Sequence, residues 1–215
     1  MIERVVRRVE GALVVDRVVV ATDDVRIKEA VESFGGKVIM TPVGCENGTL
    51  RCFEAMTQLS PAPDAILNVQ GDEPFVHPEQ LKSLVDLIRC PEADIATLAH
   101  PMLASDPGRE DSNRVKVVLD SSFRALYFSR SPIPYNEGPW LQHLGLYAFT
   151  YDSLYSVAKL KPAVLEERES LEQLRWLAGG LRIKVGMTEH RTPAIDTPQD
   201  LARIEKLLGS GWSVD

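Results

Sequence analysis

An alternation along the chain narrows the fold most. Short apolar runs rich in β-branched residues end in polar or acidic tips, and stretches with helical spacing lie between them. Residues 1–11 carry helical periodicity that ends near Gly11. Arg17-Val18-Val19-Val20-Ala21-Thr22 is a short apolar run, the signature of a parallel strand buried on both faces, and Asp23-Asp24 follow at once. Asp23 or Asp24 can cap the next helix, and Gly35-Gly36 stops it. Lys37 to Thr41 reads as a second strand. A loop through Gly48 leads to a helix over 49–59. Asp64 to Gln70 reads as a third strand, Gly71-Asp72-Glu73-Pro74 turns the chain, and a helix covers about 78–89. This β-α-β-α rhythm predicts an α/β fold with a parallel sheet and helices on both faces. Ligands of such sheets bind outside the carboxyl ends of the strands. That rule singles out Thr22-Asp23-Asp24, the loop 42–49 and Gln70 to Glu73.

After residue 93 the texture changes. Runs at 94–99, 115–119, 125–129, 143–149 and 183–188 are strand-like, with long loops between them. Two further helices are expected. One spans about 166–178 and stops at Gly179-Gly180. The other starts at Thr197, a good N-cap followed by Pro198 and Asp200. With no linker and no repeat, residues 1–215 read as one mixed α/β domain carrying a β-rich insertion.

Composition excludes several classes. Hydrophobic residues make up 44% and charged residues 26%, which argues against disorder, a collagen-like repeat or a disulfide scaffold. No apolar run is long enough to cross a bilayer, and the charged start is no secretory signal. Against 31 acidic residues stand 24 basic ones, a net charge of −7 without a basic block. Nucleic acid and anionic membrane are therefore excluded as partners, while a small anionic substrate remains compatible. Three unpaired cysteines (Cys45, Cys52, Cys90) point to a reducing, cytoplasmic setting. The four histidines are scattered without metal-ligand spacing, which argues against zinc.

Each candidate site residue has a bland reading beside a functional one. Asp72, at a strand tip after Gln70-Gly71, can offer oxygen to Mg²⁺ or merely cap the next helix. Asp196 can share that metal or simply favour a helix entry. Asn47-Gly48-Thr49 with Arg51 forms a polar turn able to hold an anion or a base edge, or only an N-cap. Arg130, at a strand end, can pair with a carboxylate or phosphate, or lie on the surface. His143, Gly145 and Tyr147 share a strand face, and Gly145 would leave a cleft there, although a lone core histidine is the commoner outcome. Glu172 and Gln173 lie on a helix whose buried stripe is Leu171, Leu174 and Ala178; adjacent polar residues in such a place usually face solvent.

Taken together, these segments resemble the 3-deoxy-manno-octulosonate (Kdo) cytidylyltransferases, or CMP-Kdo synthetases. The resemblance rests on Val20 to Asp23, Asn47-Gly48-Thr49 with Arg51, Asn68 to Pro74, Lys116 to Asp120, and Ala125 to Arg130 with Ile133-Pro134. It continues through His143 to Tyr147, Leu171 to Arg175 and Asp196-Thr197-Pro198. It implies a Rossmann-like nucleotidyltransferase fold with a mixed, mostly parallel sheet, and an insertion used for dimerisation. It further implies a cytoplasmic homodimer that transfers CMP from CTP to the anomeric hydroxyl of Kdo for lipopolysaccharide synthesis. By the same resemblance Asp72 and Asp196 would hold Mg²⁺, with Gln70 beside sugar and metal. Arg130 would meet the sugar carboxylate. His143, Tyr147, Glu172 and Gln173 would bind sugar hydroxyls. Asn47, Gly48, Thr49 and Arg51 would seat the nucleotide.

Two departures stand out. Leu50 and Cys45 replace residues that are usually acidic and His in the family. The family's opening strand and Gly/Arg/Lys-rich phosphate loop would precede Met1-Ile2. Two alternatives therefore stay open: a catalytically weak relative that binds sugar or partners a complete subunit, and a cytidylyltransferase for an amino-sugar analogue of Kdo. Loss of a central strand would also leave sheet edges uncovered and make the chain poorly soluble or dimer-dependent.

Overall fold

A computed structural model describes residues 1–190. Asp196 and the helix expected after Thr197 lie outside the described residues. The chain opens with α1 (Ile2–Gly11), which buries Val5, Val6 and Val9. β1 (Val20–Thr22) follows, then α2 (Val25–Ser33), β2 (Val38–Met40), α3 (Gly48–Thr57), β3 (Ala65–Asn68) and α4 (Pro78–Ile88). Asp24 is the α2 cap, accepting from the Arg26 N–H at 2.8 Å. The second half holds β4 (Ile95–Met102), β5 (Lys116–Leu119), β6 (Ala125–Ser129) and β7 (Trp140–Thr150). Among the described residues it continues with α5 (Tyr151–Val157), α6 (Val164–Glu169), α7 (Gln173–Ala178) and β8 (Ile183–Met187).

The main sheet is mixed. Its order is β6-β5-β7-β4-β8, with β3 on the same edge of β7 as β5 but at the strand's other end. β7 runs antiparallel to β3, β4 and β5, while β4 and β8 are parallel. β3, β4 and β8 thus share one direction, with β7 inserted against it. β1 and β2 form a separate parallel ladder, and α3 packs against both β1 and β3. The expected β-rich insertion is the antiparallel β5–β6 hairpin.

Helices cover both faces of the sheet, as the alternation requires. On one side Val5 and Val9 of α1 and Leu81, Leu84 and Ile88 of α4 pack on Ala96, Leu98, Leu146 and Ala148. On the other, Met56, Leu154, Val157, Leu174 and Trp176 pack on Ile95, Tyr147, Phe149, Ile183 and Val185. Period-2 alternation along β4 and β7 divides the two cores.

The expected helix over 166–178 is broken in two. Ser170 adopts a left-handed conformation at φ 52°, which an α-helix cannot contain, so α6 ends there and α7 begins three residues later. The apolar stripe survives only in part, since Leu171 and Leu174 are buried while Ala178 is exposed. α5 was not expected from the sequence. Its signals are a Thr150 cap, which accepts from the Ser153 N–H at 3.1 Å, and the buried pair Leu154 and Val157.

Candidate active site

The site gathers at the carboxyl end of β3. Asn68, the last residue of that strand, is buried and donates its side-chain amide to the Thr49 hydroxyl at 3.4 Å. Thr49 in turn donates to Oε2 of Glu172 at 3.1 Å. Asn47 caps α3, its Oδ1 accepting the Leu50 N–H at 2.8 Å. Beside it, a Cβ added at Gly48 would rest 3.5 Å from the Gln70 amide. The polar turn, the tip of β3 and the start of α7 are thereby brought together.

Glu172 does not face solvent as adjacent polar helix residues usually do. It is half-buried at the N-cap of α7, and Gln173 is buried beside it. Burial raises the Glu172 carboxyl from 4.5 to about 7, although the Thr49 hydrogen bond pulls the other way. The same region pushes the Cys52 thiol up to about 12, first through burial and then through Glu172. That makes Cys52 an inert thiol rather than a nucleophile.

One wall is aromatic. The rings of His143 and Tyr147 lie 5.4 Å apart, and Tyr147 meets Trp176 edge-on at 4.9 Å. Burial holds His143 down to about 3, so it is neutral at physiological pH. Thr97 Oγ1 lies 2.9 Å from His143 Nε2 and spends its single proton on main-chain carbonyls, Leu146 at 2.8 Å or Leu144 at 3.2 Å. With that proton on a carbonyl, Oγ1 accepts from the ring, an arrangement that puts the ring proton on Nε2 and leaves Nδ1 as an acceptor. Sequence reading missed Thr97. A β-bulge between Thr97 and Leu98 sets Gly145 and Leu146 outside the ladder register, and open space surrounds the Gly145 Cβ position, as a cleft requires.

Asp72 sits half-buried in the turn after β3. Two arginines of α1 brace that turn from behind. Arg4 donates to the Pro74 carbonyl at 3.1 Å and lies 4.7 Å over the Phe75 ring, and Arg8 donates to the Val76 carbonyl at 3.0 Å. At the sequence level these arginines carried only helix spacing.

The two remaining basic candidates are held elsewhere. Arg51 pairs with Asp23 at 3.2 Å and donates to Thr41 at 2.8 Å, tying α3 to the ends of β1 and β2. Arg130, just past β6, donates to the carbonyls of Glu169 (2.8 Å), Ser112 (3.0 Å) and Ser170 (3.1 Å). Glu169 also accepts the Arg130 N–H and the Ser129 hydroxyl, a role its sequence position did not reveal. Leu50 and Cys45, the two unusual residues, line one cavity of about 250 Å³ with Pro42, Gly44, Phe53, Glu54 and Ala158.

Comparison with known proteins places the fold and the family. A family model described as "Cytidylyltransferase" matches residues 1–183. A 3-deoxy-manno-octulosonate cytidylyltransferase of Phocaeicola vulgatus is 47% identical, over 97% of this chain and 86% of the relative. An 8-amino-3,8-dideoxy-manno-octulosonate cytidylyltransferase of Shewanella amazonensis is 42% identical, over 97% of this chain and 87% of the relative. A CMP:2-keto-3-deoxy-manno-octonic acid synthetase solved with CTP superimposes with a TM-score of 0.91 at 38% identity, covering 98% of this chain and 88% of that one. The chain therefore belongs to the cytidylyltransferase family, among the nucleotidyltransferases of the CMP-Kdo synthetase type.

Proposed function

We propose that this chain transfers CMP from CTP to the anomeric hydroxyl of Kdo, the step that activates the sugar for lipopolysaccharide assembly. The hydroxyl oxygen attacks the α-phosphorus, the bond to the pyrophosphate oxygen breaks, and the hydroxyl proton leaves to solvent. The observation that carries this reading is the chain of contacts from Asn68 through Thr49 to Glu172, whose charge acts on Tyr147, the ring beside neutral His143. Such a wall has the donors and acceptors that a polyhydroxy acid demands. His143 Nδ1 would accept from a sugar hydroxyl. Tyr147 stays a phenol donor, since burial raises its pKa well above the ordinary value. Glu172 and Gln173 would complete the sugar contacts. Asn47, Gly48, Thr49 and Arg51 would hold the nucleotide, with Arg51 acting through the Asp23 and Thr41 contacts that fix its loop. Arg130 would meet the sugar carboxylate, as the family resemblance implies.

The donor set fits Mg²⁺. A carboxylate and an amide oxygen, from Asp72 and Gln70, at a turn braced by α1 suit a hard cation that takes its other ligands from substrate phosphates and water. Asp196 would be the second carboxylate. When bound, the ion supplies charge neutralisation at the α-phosphate. The chain's own residues orient the sugar hydroxyl and hold the base.

A cytoplasmic homodimer belongs to the same reading. Phe123 and Leu126 of the β5–β6 hairpin expose large apolar side chains that a second copy would cover. No helix among the described residues is long and apolar enough to cross a membrane.

The test is pyrophosphate release and CMP-sugar formation from CTP and Mg²⁺, with Kdo and its 8-amino analogue offered in parallel. Preferential turnover of Kdo supports the reading. Preferential turnover of the amino sugar assigns the chain to that specificity instead. Binding of Kdo with no turnover of either sugar identifies a sugar-binding relative and overturns the catalytic reading.

A further inference from the structure

We propose that His77, Glu79 and His190 form a second cation site, selective for a borderline metal of the Zn²⁺ type and distinct from the carboxylate site of Asp72. The histidines are far apart in sequence, and their lack of regular spacing argued against zinc. The fold nonetheless brings two of them together. β8 runs parallel to β4 and delivers His190 to the N-terminus of α4, where the two imidazoles stack with centroids 3.5 Å apart and planes 12° from parallel.

Each member of the cluster is positioned by other bonds. His77 is the α4 N-cap. The single lone pair of its neutral ring, at Nδ1, accepts the Glu79 N–H at 3.2 Å, so a metal on His77 would replace that bond, while the His77 backbone N–H still donates to Gln80 Oε1 at 2.9 Å. The Gln80 amide reaches on to the His190 carbonyl at 3.1 Å, and the His190 N–H donates to the Thr188 hydroxyl at 3.2 Å. His190 Nε2 lies 2.8 Å from Glu79 Oε2. One ligand atom from each of the three side chains falls within 4.8 Å of the others.

A tetrahedral zinc site with bonds of about 2.0–2.2 Å separates its ligand atoms by about 3.4 Å. The cluster thus needs a closure of little more than 1 Å, roughly, within a site of that geometry. Parallel rings direct their in-plane lone pairs side by side, so the stack must fan open. The Glu79 side chain is 73% exposed and the His190 side chain 36%, which leaves both room to turn. Two imidazoles and one carboxylate, with water as fourth ligand, suit Zn²⁺; Mg²⁺ prefers oxygen alone. A bound ion would clip the end of β8 to the start of α4, a few residues after the Asp72 turn.

The full chain, stripped of metal, is titrated calorimetrically with Zn²⁺ in the presence of excess Mg²⁺. The expected result is one Zn²⁺ per chain, with a rise in melting temperature on loading. His77→Asn keeps a strong helix-capping side chain while removing the imidazole, and His190→Gln removes the other ring. Each should weaken zinc binding by at least about tenfold and abolish the thermal shift. Co²⁺ loading should give a spectrum without thiolate charge-transfer bands, separating this cluster from Cys45, Cys52 and Cys90. Unchanged zinc affinity in both variants, thiolate bands in the cobalt form, or no saturable binding by the parent chain would each overturn the proposal.

Discussion

The Thr49 hydroxyl donates to Oε2 of Glu172 at 3.1 Å, joining the first turn of α3 to the N-cap of α7. The contact explains why a carboxylate persists in a half-buried position at all. Its desolvation is offset in part by a hydroxyl donor and by the Arg175 charge.

Glu172 should make stability pH-dependent in a defined window. Its folded pKa, about 7, lies above the ordinary 4.5. The folded state therefore holds the proton more tightly. The contribution is fully present below pH 4.5 and is lost as pH rises through 7, on the order of 3 kcal/mol in all. Urea unfolding across this range should show that fall, and Glu172→Gln should flatten it. The same variant should remove any inflection near pH 7 in the KM for the sugar.

His143 should act in the opposite direction. Its folded pKa of about 3 lies below the ordinary 6.5, so its contribution is present above pH 6.5 and lost as pH falls through 3. The loss is on the order of 5 kcal/mol. Acid denaturation of His143→Gln should begin at a lower pH than that of the parent chain, and a midpoint unmoved or moved upward would refute the assignment.

Thr97 is a positioning residue. Thr97→Val leaves the His143 Nε2–H buried without its acceptor, at a cost of about 1–3 kcal/mol by thermal or urea unfolding. Sugar KM should rise more than kcat falls, because the tautomer is released while the phosphate chemistry is untouched. Thr97→Ser should restore both readouts.

Asp72→Asn should lower kcat by about 10²-fold or more at saturating Mg²⁺, with little change in melting temperature. Pyrophosphate release measures the first and calorimetry the second. Full activity in this variant would remove Asp72 from the metal site.

Trp176 is fully buried and meets Tyr147 and Phe149 edge-on at 4.9 and 5.3 Å. Trp176→Ala should cost about 3–5 kcal/mol on unfolding. Sugar KM should also rise, because the ring behind Tyr147 is gone.

Much of the architecture was legible locally. Val20 to Thr22, Ala65 to Asn68 and the helix starts at Asp24 and Asn47 follow from apolar runs and caps that act within a few residues. The break at Ser170 was not, because the buried spacing of Leu171 and Leu174 continues the stripe through a residue whose backbone is left-handed. The strand-end rule points to Gln70, Asp72 and the polar turn, which the structure gathers at the end of β3. Thr97 escaped it because it lies within a strand and acts only through a bulge.

The sequence by itself determined the alternation of elements, the polar strand tips and the family. These depend on periodicity and on short-range spacing. Tertiary structure decided which distant side chains share an environment: Glu172 with Thr49, His143 with Thr97, Arg4 and Arg8 with the Asp72 turn, and His77 with His190. Desolvation and hydrogen bonding act over a few ångströms of space, whatever the separation along the chain. A carboxyl near 7, an imidazole near 3 and a stacked histidine pair therefore exist only once the sheet and helices have assembled.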